Sequence, residues 1–78
     1  MKTRYKFIHF VDTGVPAAGK TSVWSCRNNG NSNELGIIIW YPTWREYCYE
    51  DTTPAVYSAG CLADIQDFID QLMKARAA

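Results

Sequence analysis

An α+β domain, with four antiparallel strands followed by one helix (β-β-β-β-α), is the fold class this 78-residue chain predicts. Three observations predict it. Four short segments alternate apolar and polar residues with a period of two, clusters of Gly, Pro, Asn and Asp separate them, and residues 61–78 change to a helical period. The length sets a single domain over residues 1–78, small enough that its core is barely sufficient.

The first segment, RYKFIHFV, reads as a strand over Arg4–Val11. Alternation assigns Tyr5, Phe7, His9 and Val11 to the core face, and Lys2, Arg4, Lys6, Ile8 and Phe10 to the other. DTGVPAAG follows and reads as a loop. KTSVWSCRN is a second strand, with Val23 and Ser25 facing one way and Trp24 and Cys26 the other. NNGNSNE is the clearest turn, because Asn and Gly tolerate positive φ and nothing there can enter a core.

LGIIIWY, the most apolar run, is a third strand and is expected at the centre of the sheet. YPTW is the tight corner into a fourth strand, WREYCYE, beginning at Trp44. On that strand Trp44, Glu46 and Cys48 share one face, and Arg45, Tyr47 and Tyr49 the other. After the loop DTTPAVYSAG, a helix opens at Ser58 or at the Ala59-Gly60 corner. Leu62, Ile65, Phe68, Ile69, Leu72 and Met73 form its apolar stripe. Lys74 and Arg76 near its end match the sign the helix dipole prefers.

Composition narrows the function classes. Eight basic and eight acidic residues give a formal net charge of zero. A general nucleic-acid binder shows a basic excess and a DNA mimic an acidic one, so both are set aside. Cys26, Cys48 and Cys61 are an odd set without C-x-x-C spacing, and read as free thiols in a reducing compartment. The start MKTRYKFIHFVD lacks the apolar run of a signal peptide and no stretch reaches membrane-spanning length. A cytoplasmic protein without membrane contact is therefore expected, in the host cytoplasm if a phage encodes it.

GVPAAGKT, residues 14–21, matches the phosphate-binding pattern G-x-x-x-x-G-K-[ST]. That loop needs a helix after it, whose N-terminal N–H groups cradle phosphate. Here SVWSC follows, β-branched and aromatic with a two-residue period, so the glycines read as turn residues and Lys20 as an exposed charge. Ser22, Ser25, Ser32 and Ser58 share a single histidine, His9, which the alternation puts mid-strand on the core face. Asp64, Asp67 and Asp70 read as a solvated helix face. The chain is expected to be no enzyme and to need neither cofactor nor metal.

WYPTWREYCY, residues 40–49, holds two Trp, three Tyr and an Arg. One helix covers only one side of a sheet, so at least one row of rings is left exposed or engaged by a partner. Trp, Tyr and Arg are enriched at binding hot spots; rings stack on a base and a guanidinium forks onto phosphate. The candidate binding residues are Trp40, Tyr41, Trp44, Arg45 and Tyr47, with Arg4 adding phosphate-seeking charge.

KTSVWSCRNN, ELGIIIWYPTWREYCYED and VYSAGCLADIQDFIDQLM together resemble a family of small uncharacterised proteins of bacteria and their phages. Its pattern runs K-T-x-x-W, L-G-x-I-x-W-Y-x-x-W-R-x-Y and C-L-x-x-I-x-x-F-I, over roughly residues 20–73, with Cys26 and Tyr49 standing where it favours Val and Phe. The resemblance implies no chemistry, but it implies a phage or prophage setting in which small proteins act by binding. The expectation is a non-enzymatic counter-defence factor that sequesters a nucleotide-like small molecule as a homo-oligomer. The alternative is a protein–protein inhibitor of a host defence enzyme using the same rings.

Overall fold

Strand pairing starts later than alternation alone predicts, and the first seven residues explain why. The structure, a computed structural model, describes residues 1–17 and 21–77. Residues 4–7 reverse tightly: the Tyr5 N–H donates to Ile8 O (2.8 Å), the Phe10 N–H to Thr3 O (2.8 Å), and Arg4 bridges His9. The Asn29 side-chain amide donates to the carbonyls of Tyr5 (2.8 Å) and Lys6 (3.3 Å), pinning this reversal to the turn that follows the second strand.

Strand β1 therefore runs Ile8–Ala17, and its phase is shifted by one residue. Ile8 and Phe10 enter the core, while His9 and Val11 take the opposite face and Phe7 is exposed. The expected core row of Phe7, His9 and Val11 is corrected accordingly. Tyr5 is buried as foreseen, through contacts of its own. Its hydroxyl donates to Asp67 (2.6 Å) and accepts from Gln71 (2.9 Å) on the helix, and Lys2 lies over its ring. Burial, and then the Asp67 carboxylate, push this phenol well above its ordinary pKa.

The expected loop after Val11 is corrected as well, because β1 continues to Ala17 through a bulge between Asp12 and Pro16. The bulge is held locally. Gly14 adopts φ +73°, its N–H donates to Asp12 Oδ1 (2.9 Å), and the Thr13 hydroxyl donates to Val23 O (2.6 Å). Pro16 lies in an edge strand, where a missing N–H costs little. Strand β2 is Thr21–Asn28, paired antiparallel to β1 with Ala17 opposite Thr21. The phosphate-loop match thus spans a hairpin, with a strand where such a loop needs a helix. Lys20 lies outside the described residues.

Strand β3, Glu34–Tyr41, pairs with β2, and β4, Glu46–Asp51, pairs with β3, giving the order β1-β2-β3-β4. Helix α1, Ala59–Ala77, completes the predicted β-β-β-β-α architecture. Ser58 caps it: the Cys61 N–H donates to Ser58 Oγ (3.1 Å), the geometry of a hydroxyl satisfying an orphan donor. Ile65, Phe68 and Leu72 are its buried residues, whereas Leu62, expected in the stripe, is largely exposed.

The helix covers one face of the sheet. Phe68 stacks on Phe10 with ring centroids 4.1 Å apart, and meets Trp24 edge-on at 5.0 Å. Ile8, Cys26 and Ile38 complete this layer. Tyr49 and Tyr57 share a hydroxyl contact of 2.5 Å, and Tyr57 donates on to Asp51 (3.1 Å), which ties the loop before the helix to β4. Among the described residues, no helix is long and apolar enough to cross a membrane.

Candidate functional site

The six residues singled out by sequence divide into three places. Trp40 and Tyr47 are opposite each other in the β3–β4 register and lie on the helix side. Trp40 is buried, with Tyr47 edge-on at 5.3 Å and the Arg76 guanidinium 3.8 Å from its ring centre. These two rings hold down the last turn of the helix, a cation–π contact between elements far apart in sequence.

Tyr41, Trp44 and Arg45 cluster at the β3–β4 hairpin. Trp44 and Arg45 lie in the turn rather than in the strand, which corrects the expected start of β4 at Trp44. Pro42 favours that corner. The Trp44 N–H donates to Tyr41 O and the Arg45 N–H to Pro42 O, both at 3.2 Å. Arg45 takes φ +54°, a left-handed conformation in which Gly or Asn is the comfortable residue. The turn lifts Trp44 clear of the sheet, where it is 66% exposed, edge-on to Tyr41 at 4.9 Å; Tyr41 itself is 38% exposed.

Arg4 lies at the far end of the molecule. Its guanidinium donates to Asn29 Oδ1 (3.1 Å), as does His9 Nδ1 (2.7 Å). The Asn29 orientation is settled by its NH₂ group, which is committed to two backbone carbonyls, so His9 Nδ1 carries the proton in this contact. Register sets the separation. Arg4 and His9 are at the Ile8–Asn28 end of the sheet, and Trp44 is beyond the Tyr41–Glu46 end.

The face opposite the helix carries Val11, Val23, Ile37, Ile39 and Cys48, all half-buried. The helix packs on the other face, through Phe68 against Phe10 and Trp24. At its Tyr41 end, Ile39, Tyr41, Trp44, Cys48, Tyr49 and Glu50 line a shallow hollow of about 220 Å³. Between Val11 and Ile37 in the register, the Ser25 hydroxyl donates to Glu34 (2.8 Å) and accepts from Arg27 Nε (3.1 Å), while the Thr52 hydroxyl donates to Glu34 (2.8 Å). The hydroxyls of Thr52 and then Ser25 hold the Glu34 carboxyl below its usual range. Sequence alternation in LGIIIWY already implied that Ile37 and Ile39 face away from Ile38. The contributions of Cys48 and Glu50 to the hollow were missed, because they depend on how Trp44 turns over β4.

The three thiols differ in burial. Cys26 is fully buried and burial pushes its thiol up to about 11. Desolvation also raises Cys48. A thiol reagent at neutral pH should therefore modify Cys48 and Cys61, both half-buried, long before Cys26. Intact-mass analysis with and without denaturant checks this. Early labelling of Cys26 would contradict the described core. Among the described residues, no three of His, Cys, Asp and Glu are grouped as a metal-ligand set.

Comparison with protein-family models, with curated proteins and with solved structures returns no match for this chain.

Proposed function

We propose that this chain is a non-enzymatic binding protein that sequesters a flat, nucleotide-like small molecule at the Tyr41–Trp44–Arg45 end of its uncovered sheet face, acting as a homo-oligomer. One observation carries the reading: the 66% exposed indole of Trp44, edge-on to Tyr41, walls a hollow lined by apolar Ile39. An aromatic base stacks on such a ring for roughly 1–3 kcal/mol. Glu50 in the lining can accept from exocyclic amines or sugar hydroxyls, and the exposed Arg45, next to Trp44 in the turn, offers a guanidinium for phosphate. The strained backbone at Arg45 supports the reading, since a turn selected for stability alone would favour Gly there. At about 220 Å³ the hollow is smaller than a typical ligand cleft of roughly 300–1,000 Å³, which is why an oligomer belongs to the proposal. The resemblance to small phage and bacterial proteins supports a counter-defence setting in the host cytoplasm.

Calorimetric titration with cyclic and linear nucleotides tests the reading. At least one should bind. Trp44→Ala should weaken that binding by roughly tenfold or more, while shifting stability by no more than about 0.5 kcal/mol, because the ring is mostly in solvent. Absence of binding across the panel would defeat the small-molecule reading.

A second reading, inhibition of a host defence enzyme through the same rings, draws on the apolar rows of Val11, Val23, Ile37 and Ile39, which extend well past the hollow. It expects no nucleotide binding, and a stoichiometric complex with one enzyme that Trp44→Ala dissolves.

A further inference from the structure

The sheet face opposite the helix is self-complementary, and we infer that a second copy of this chain packs against it, with a two-fold axis running along the strands between the two sheets. This deepens the homo-oligomer in the functional reading by naming the face, the axis and the residues that meet.

Alternation and register fix what the face presents. Its rows hold Val11 on β1, Val23 and Ser25 on β2, and Ile37 and Ile39 on β3, with Ser25 between Val11 and Ile37 and its hydroxyl already bonded to Glu34 and Arg27. Its two edges differ. The β1 edge carries Arg4 beside His9 at one end and the exposed Val15 at the other. The β4 edge carries Glu50 toward the first of these ends and Glu46 toward the second, with Tyr41 and Trp44 beyond.

Two in-plane two-fold axes bring this face onto itself. An axis across the strands stacks β4 on β4, so that Glu46 and Glu50 of one copy approach those of the other, acid on acid. An axis along the strands stacks β4 on β1. Arg4 of one copy then faces the Glu50 end of β4 in its partner, and Trp44 faces the end of β1 that carries Val15. Both correspondences favour the second axis: opposite charge meets opposite charge, and apolar surface meets apolar surface. Aligned packing of two sheets through their inner faces is an established geometry, and it buries the central Val and Ile rows without changing the fold. The same arrangement roofs the hollow beside Trp44 with the partner's β1.

Sedimentation equilibrium of the full chain across the micromolar range tests this. The wild type should approach twice the monomer mass as concentration rises. Ile37→Lys, at the centre of the face and away from the helix, should remain monomeric with an unchanged circular dichroism spectrum. Arg4→Glu and Glu50→Arg should each weaken the dimer several-fold, and the double variant should recover it, as only the axis along the strands requires. A monomeric wild type at every concentration overturns the inference, as does an Ile37→Lys variant that still dimerises or a charge swap that fails to rescue. Nucleotide titration of the same samples separates the two proposals. Saturable binding by a monomeric wild type removes the dimer and keeps the ligand, whereas a dimer that binds no nucleotide keeps this interface and removes the ligand.

Discussion

Gly36→Ala should destabilise this protein by about 2–3 kcal/mol although it adds a single methyl group. Gly36 sits in β3 opposite Asp51, on the helix side, and the Tyr49 ring of the neighbouring strand lies across it. A Cβ built there would meet the Tyr49 ring and lie 2.6 Å from the carbonyl oxygen of Glu50. The ring can swing only by breaking its hydroxyl contact with Tyr57, and the carbonyl belongs to the β3–β4 ladder and can move only with the strand. For a chain this short the cost corresponds to a fall in Tm of roughly 10–20 °C, readable by thermal melting. Truncating Tyr49 in the same variant should recover only part of the loss, because the backbone clash remains. Near-wild-type stability of Gly36→Ala would mean that β4 does not lie over this position as described.

Phe68→Ala should cost still more, about 3–5 kcal/mol. Phe68 has 0% of its surface exposed and joins the helix to β1 and β2 by stacking on Phe10 and abutting Trp24. Total stability for a domain of this length is roughly 4–12 kcal/mol, so this one truncation removes a large share of it. Urea unfolding followed by tryptophan emission should show the midpoint collapse, and Phe68→Leu, which refills most of the space, should lose less than about half as much. The contrast with Trp44→Ala matters for function. Both residues are large aromatics; one is expected to govern folding, and the other binding with almost no effect on folding.

The two faces of the sheet thus divide the labour. Cys26, Ile38, Trp40, Tyr47 and Tyr49 are committed to the helix side, and Arg76 and Tyr57 close its two ends. The other side carries Val11, Ile37, Ile39, Tyr41 and Trp44 and receives nothing from the described helix. Apolar rows of this kind rimmed by charge are the usual mark of a surface that meets something else.

How much of this was legible beforehand differs from residue to residue. A helix over the last third of the chain, opening at Ser58 or at the Ala59-Gly60 corner, and the shared face of Trp24 and Cys26 follow from periodicity and capping chemistry, which act over a few residues and leave their trace in the sequence; the structure selects Ser58 as the cap. The phase of β1 did not, because Asn29, more than twenty positions away, fastens residues 4–7 into a reversal and moves Ile8 and Phe10 inward. Arg4 was grouped with Trp44 on chemistry alone, and the register sets them at opposite ends of the sheet.

Composition and local pattern by themselves determined the α+β class, the order of its elements and the shortage of helix cover on one face, because backbone period and turn chemistry are local properties. Only the tertiary structure decided which rings are spent on the core and which stand in solvent. That choice is made by strand register and by the path of the β3–β4 turn, both set by packing between segments distant in the chain. Trp40 and Trp44 are four residues apart and chemically identical. One lies under Arg76 and the other over an open hollow, because a turn separates them rather than a strand.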